Sequence, residues 1–274
     1  MDRRNTPANA RIAATRLKGE VDAPRYSDGE VGQIAVPVAD LLREPNGARD
    51  RQVLLGECVT IYEVHDGWAF VEAAKDGYVG YVDARSVGEA KDATHWISAP
   101  ATHVYSGPNL KTPDRMALPF GSRVRVTDTA DGYCQTAHGF VPTQHLSPVS
   151  HRLDDPVAVA ALFLGTPYLW GGNSIWGIDC SGLVQAALIA CGIPCPGDSD
   201  LQETEVGEGL ADDAPLRPGD LLFWNGHVAM VVDDTRLIHA NAHAMAVSYE
   251  GIDAAIARIE KQGEGPVTSR RRPR

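Results

Sequence analysis

The sequence predicts an α+β domain in the C-terminal part of the chain, preceded by two small all-β barrels. Three observations carry this. Residues 34–87 are short apolar runs broken by turn dipeptides such as Asp66-Gly67 and Asp76-Gly77, the pattern of strands joined by tight hairpins. The same grammar returns between residues 94 and 149, so the β unit is repeated at a spacing too long and too β-rich for a solenoid. After Pro148 helix signals come first and strand signals follow, which is the order of an α+β domain.

Taken in order, residues 1–33 are poorly periodic and read as a lead-in, with a short helical turn over residues 9–17. The first barrel spans residues 34–90. Val53-Leu54-Leu55 precedes Gly56, then come Val59-Thr60-Ile61-Tyr62, Trp68-Ala69-Phe70-Val71 and Tyr78-Val79-Gly80-Tyr81-Val82. The second barrel spans residues 91–149. In it Leu118-Pro119-Phe120-Gly121 parallels Leu54-Leu55-Gly56, Asp131-Gly132-Tyr133 parallels Asp66-Gly67-Trp68, and Gly139-Phe140-Val141 parallels the tyrosine-glycine run. The α+β domain spans residues 150–262. Asp154-Asp155-Pro156 opens a helix, with acids near its positive end and proline in its first turn, and Gly165 stops it. A loop rich in glycine and aromatics then leads to a second helix from about Cys180 to Ala190, closed by Gly192. Strands are expected at residues 221–224, 228–232, 237–240 and 245–249. Residues 263–274 end in Arg270-Arg271-Arg272 and are expected to be a disordered basic tail.

Composition limits the function classes. With 43% hydrophobic and 22% charged residues, the chain is of ordinary soluble globular kind. A formal charge of −11 argues against nucleic acid and against electrostatic attraction to anionic lipid or wall polymers. No apolar run is long enough for a membrane span or a secretion signal, so neither a membrane partner nor export is expected. Five cysteines, an odd number without regular spacing, are expected to be reduced thiols in the cytoplasm.

One cysteine has chemical surroundings. Cys180 follows a glycine-rich loop and stands directly after Asp179, a suitable N-cap, so its thiol falls in the first turn of a helix. There the helix dipole is expected to lower the thiol pKa, and free N–H groups can hold an oxyanion. A nucleophile of this kind needs a base and a group that orients it. His227 opens one strand and His239 ends the next, and the turn at Asp233-Asp234-Thr235 brings them to the same end of a hairpin. The other cysteines, Cys58, Cys134, Cys191 and Cys195, sit in apolar patterns that suit buried thiols. Cys191-x3-Cys195 with His239-x3-His243 loosely imitates a zinc site, but the pairs are too far apart in sequence, and no metal or cofactor is expected.

Five ordered blocks carry a family resemblance. They are Tyr168-x-Trp170-Gly171-Gly172, Asp179-Cys180-Ser181-Gly182-Leu183-Val184, Arg217-Pro218-Gly219-Asp220-Leu221, Gly226-His227-Val228-Ala229-Met230-Val231 and Ile238-His239-Ala240. Together they resemble the NlpC-type cysteine peptidases, whose catalytic domain is papain-like. The two preceding β modules resemble bacterial SH3-like domains, and the whole chain resembles the YkfC-like γ-D-glutamyl-L-diamino acid endopeptidases of murein recycling. The resemblance implies Cys180 as nucleophile, His227 as general base and acid, and His239 as orienter. It implies Tyr168 at the oxyanion beside the Cys180 N–H. It implies Asp179, Ser181 and Ser199 as substrate-binding residues. In the first SH3-like module it implies a tyrosine and an acid that contact the substrate's first residue, for which Tyr78 (with Tyr81 as competitor) and Glu57 are the candidates. The second module is expected to be structural.

The resulting expectation is a cytoplasmic cysteine peptidase that cleaves murein peptides, L-Ala-γ-D-Glu-diamino acid, between D-glutamate and meso-diaminopimelate or lysine. A free N-terminal L-Ala is expected to be required. Two alternatives are a murein-binding SH3-like protein with an inactive peptidase domain, and a thiol amidase or acyltransferase acting on another amide.

Overall fold

The computed structural model describes all residues, 1–274, and divides into two compact units, Met1–Ser150 and His151–Arg274.

The N-terminal unit contains the two β modules. Its lead-in is built into the first of them. β1 (Ala13–Ala14) pairs in parallel with β2 (Tyr26–Ser27), and Ile12 and Ala14 are buried against Tyr62, Phe70 and Val79. The helical turn expected over residues 9–17 shrinks to a 3-10 turn at Thr15–Leu17. The cause is local: the Asn9 side chain accepts from the backbone N–H groups of Arg11 and Ile12, at 2.8 and 3.0 Å, and so offers the chain a turn in place of a helix.

The first module comprises β3 (Glu30–Ile34), β4 (Val38–Leu42), β5 (Arg49–Leu54), β6 (Cys58–His65), β7 (Trp68–Ala73), β8 (Val79–Asp83) and β9 (Val87–Glu89). They form one seven-stranded sheet in the order β5-β4-β8-β7-β6-β3-β9. Alternating residues such as Leu41, Val59, Val71 and Val82 meet inside it, as the period of two in these runs demands. The second module comprises β10 (His95–Ile97), β11 (Ala101–Tyr105), β12 (Asp114–Pro119), β13 (Arg123–Val124), β14 (Val126–Ala130), β15 (Tyr133–Thr136), β16 (Gly139–Pro142) and β17 (Leu146–Pro148). Its strands run β12-β11-β16-β15-β14 in one sheet and β13-β10-β17 in another. This is the order of the first module with one strand broken at Arg125, so the sequence repeat is also a repeat of topology.

The C-terminal unit begins with α1 (Pro156–Ala161), capped by the Asp155 side chain, which accepts from Val157 and Ala158. The loop that follows carries a small ribbon, β18 (Asn173–Ser174) with β19 (Gly177–Ile178). Next come α2 (Cys180–Ala190), α3 (Ser199–Glu205) and β20 (Glu208–Gly209). The sheet strands β21 (Leu221–Trp224), β22 (His227–Val231), β23 (Arg236–Asn241) and β24 (Ala246–Gly251) are antiparallel neighbours in sequence order. After them come α4 (Ile252–Gln262) and β25 (Ser269–Arg272). The α+β expectation holds in this unit.

Helix α4 lies outside the sequence reading. Its residues Ile252, Ala255 and Ile259 close one face of the sheet over Leu222, Trp224, Ala229, Val231 and Leu237. The expected disordered tail is also corrected. Ser269–Arg272 is a strand inserted between β20 and β21, giving the sheet order β20-β25-β21-β22-β23-β24. Two arginines hold it. Arg272 makes a paired contact to the buried Asp220 carboxylate, at 2.8 and 2.7 Å, and Arg271 donates to the Val206 carbonyl at 2.5 Å. Charge that reads as solvated in the sequence is neutralised by a buried acid far upstream.

Candidate active site

Helix α2 is apolar almost all round, with Leu183, Val184, Ala187 and Leu188 buried, so it forms only inside a packed domain. Its start is specified by Asp179. One carboxylate oxygen accepts from the Gly182 N–H at 2.6 Å and from the Ser181 hydroxyl at 3.0 Å; the other accepts from the Gly171 N–H at 2.9 Å. The preceding loop is therefore stitched to the helix N-terminus by one buried acid. Gly182 is required by close approach, since a Cβ there would lie 2.6 Å from the Gly172 carbonyl oxygen. The helix ends at Gly192, in the left-handed region at φ 79°, with N–H groups of Gly192 and Ile193 closing onto Ile189 and Leu188.

Cys180 is the first residue of α2 and is 7% exposed. The backbone N–H of Val228 reaches its sulfur, as do those of Ser181 and Cys180 itself. The start of β22, and with it His227, is thereby brought to the start of the helix. These N–H groups favour the thiolate, as a helix start should. They are outweighed: burial first, and the Asp179 carboxylate second, push the thiol up to about 12. The expected lowering of the thiol pKa is thus reversed, because the carboxylate that caps the helix also faces the sulfur.

The two histidines meet as the hairpin predicts. His227 Nε2 lies 2.9 Å from His239 Nδ1, and their rings are tilted 60° with centroids 5.1 Å apart. Burial, then the neighbouring His239 and Arg258, lower His227 to about 3; burial lowers His239 to about 4. Both imidazoles are neutral at neutral pH. His239 in turn places Nε2 3.1 Å from a carboxylate oxygen of Glu250 on β24, and Glu250 is gripped by Arg258 of α4.

Tyr168 is held beside this group by its backbone. It bridges Ile178, and its N–H donates to the Met245 carbonyl at 2.9 Å. Burial, and then the neighbouring Cys180, raise its hydroxyl above the ordinary tyrosine range, so it stays a proton donor. Ser199 is the half-exposed first residue of α3. The same helix carries Gln202, fully buried, whose amide donates to the carbonyls of Ser181 and Pro196 at 2.9 and 3.0 Å and so ties α3 to the nucleophile segment. Asp179 and Ser181 bond to each other and to the helix start.

Tyr78 and Glu57 belong to the N-terminal unit. Tyr78 is 2% exposed and packs in the first module's core, with the Arg51 guanidinium 5.8 Å from its ring. Tyr81 is half-buried against Phe70, with ring centroids 5.0 Å apart. Glu57 pairs with Lys75 at 2.9 Å. Three site residues lie outside the sequence reading: Gln202, Glu250 and Arg258. Glu250 was legible in principle, because it shares a strand face with Ser248, the direct partner of His239, but only once the register of β23 and β24 is known.

The chain has recognisable relatives in sequence and in fold. Residues 165–259 match the model of the NlpC/P60 family, and residues 41–87 match that of the bacterial dipeptidyl-peptidase Sh3 domain. A γ-D-glutamyl-L-lysine dipeptidyl-peptidase of Bacillus subtilis (strain 168) is 29% identical over 255 residues, spanning 80% of this chain and 84% of that protein. Dipeptidyl-peptidase 6 of Lysinibacillus sphaericus is 28% identical, spanning 79% of this chain and 89% of that protein. In fold, the chain is similar to the crystal structure of an NlpC/P60 family protein from Bacillus cereus ATCC 10987. The TM-score is 0.76 at 19% identity, over 89% of this chain and 99% of that one. With Cys180 at a helix start and two histidines in register behind it, the chain carries an NlpC/P60 cysteine peptidase domain joined to a bacterial dipeptidyl-peptidase SH3 domain.

Proposed function

We propose that the protein hydrolyses the γ-D-glutamyl bond to a diamino acid in short murein peptides that carry a free N-terminal L-Ala. The observation that carries this reading is the hydrogen-bonded pair His227–His239 at the helix start that bears Cys180. The name of the Bacillus subtilis relative, a γ-D-glutamyl-L-lysine dipeptidyl-peptidase, supports the γ-glutamyl specificity. Five free thiols suit a reducing compartment, which supports cytoplasmic peptide recycling over action on the intact wall.

In the proposed reaction the Cys180 thiol gives its proton to His227 as the sulfur attacks the γ-carbonyl carbon of D-glutamate. A thiol pushed up to about 12 and an imidazole pushed down to about 3 imply that the proton moves with the attack, not before it. The tetrahedral oxyanion takes hydrogen bonds from the Cys180 backbone N–H and the neutral Tyr168 hydroxyl. His227 then protonates the departing amine of the diamino acid. Water, losing a proton to His227, attacks the thioester and releases L-Ala-γ-D-Glu; the sulfur regains its proton.

The resemblance assigns recognition of the free amino end to Asp179, Ser181, Ser199, Tyr78 and Glu57. The test offers L-Ala-γ-D-Glu-diaminopimelate and its N-acetylated form at equal concentration. The free tripeptide is expected to be cleaved at least 100-fold faster; equal rates contradict the requirement for a free amine.

A further inference from the structure

The histidine pair does not end at His239. His227 on β22, His239 on β23, Glu250 on β24 and Arg258 on α4 form a continuous chain, with contacts of 2.9 Å between the rings, 3.1 Å to the carboxylate, and 2.8 and 2.7 Å to the guanidinium. We propose that Glu250, clamped by Arg258, is a positioning residue that fixes the proton arrangement of both histidines so that His227 presents a bare Nδ1 to Cys180. This rests on the reading of Cys180 and His227 as nucleophile and base.

The argument is one of donors and acceptors. Arg258 has no acceptor, so both oxygens of Glu250 accept from it. That grip also holds the Glu250 carboxyl below the ordinary range, so it is ionised and can only accept. His239 Nε2, facing it at 3.1 Å, must therefore carry the proton. His239 is neutral and 1% exposed, which leaves its Nδ1 bare. A bare Nδ1 accepts, so the facing Nε2 of His227 must carry the proton, and the lone pair of His227 falls on Nδ1. One ionised carboxylate two contacts away thus sets the tautomer of the base. The other charged or titratable groups around this chain are His243, after β23, and Glu264, after α4.

Glutamine at position 250 has the same shape and cannot serve both neighbours. The carboxylate oxygen that faces His239 Nε2 also accepts from Arg258 Nη2, and the other accepts from Arg258 Nε. With the NH2 on the shared position, it opposes Nη2 and drives the His239 proton to Nδ1; His227 Nε2 must then accept, and the His227 proton moves to Nδ1, where the base has to be bare. With the NH2 on the other position, it opposes Arg258 Nε, and His239 Nε2–H keeps only a neutral amide oxygen. Either way the single enforced tautomer is lost, because the two placements differ little in satisfied donors. Aspartate keeps the charge and only shortens the reach.

The direct test has two parts. In the unaltered protein, 15N NMR of the histidine side chains at neutral pH is expected to show His227 and His239 both neutral and both protonated at Nε2; a proton at Nδ1 on either ring overturns the proposal. In Glu250→Gln, Nδ1–H tautomers are expected to appear on both rings beside Nε2–H. Its kcat on the free tripeptide is expected to drop at least about tenfold, from the lost single tautomer and the lost charge behind the imidazolium. KM is expected to stay within about threefold, and the loss to persist across the pH plateau. Glu250→Asp is expected to recover most of that loss. A kcat loss with unchanged tautomers, or one that Asp does not recover, makes Glu250 a structural support only and overturns the proposal. Cys180→Ala separates the two readings: if it retains activity, the catalytic reading fails, whatever the tautomers show.

Discussion

Cys180 is held by opposing effects at one atom. Three backbone N–H groups point at its sulfur, and the same turn buries it beside the Asp179 carboxylate. Helix capping and thiolate formation want opposite charges at this position, and capping together with burial wins. The consequence is a thiol and an imidazole that both rest uncharged. Alkylation by iodoacetamide is expected to accelerate with pH past 9.0, the ordinary thiol value, and to show no plateau at neutral pH. The sign follows from the raised pKa: thiolate is scarce below it and grows as pH approaches it. A flat, fast alkylation rate between pH 6 and pH 8 contradicts this, because it requires a preformed thiolate–imidazolium pair. Cys180, His227 and His239 were legible in the sequence, because a cysteine after an N-cap and two histidines at one hairpin end are local patterns. The sign of the thiol shift was not, since it depends first on how deeply the fold buries the sulfur and then on the Asp179 charge beside it.

At the scale of elements, the hairpins of the β modules and the strands from residue 221 to residue 251 follow from alternation and turn residues. What escaped were elements defined by distant partners. The arginine-rich strand β25 reads as a tail until Asp220 and the edge of β21 are in place. Helix α4 carries Ile252, Ala255 and Ile259 at helical spacing, a signal present in the sequence but lying beyond the family blocks. The contact between the two β modules is equally specific. Gly56 sits in the left-handed region at φ 82°, and a Cβ there would meet the Arg123 carbonyl oxygen at 2.1 Å. Arg123 N–H donates to the Leu55 carbonyl at 2.8 Å, and Leu55 is buried in the second module's core. Gly56→Ala is therefore expected to cost about 2–4 kcal/mol in a urea melt of the full chain, from left-handed strain plus a displaced backbone. Its topological counterpart Gly121 shares the backbone strain, at φ 88°, but a Cβ there meets only the Leu54 Cδ1 at 3.4 Å. Gly121→Ala is expected to cost about 1–2 kcal/mol. Equal losses contradict the steric account of the contact.

For the molecule as a whole, fold class and repeat were readable because both depend on patterns that recur along the chain. The strand order β5-β4-β8-β7-β6-β3-β9 returns in the second module with a single break at Arg125. The sequence could not supply the chain from His227 through His239 and Glu250 to Arg258, because its members come from three strands and a helix. The central claim is that this chain serves a Cys180-dependent cleavage at γ-linked D-glutamate. Its most direct test is mass spectrometry of L-Ala-γ-D-Glu-diaminopimelate after incubation with the unaltered protein and with Cys180→Ala. The account predicts L-Ala-γ-D-Glu and free diaminopimelate from the first, and an intact tripeptide from the second. Release of free alanine, or the same products from Cys180→Ala, contradicts it.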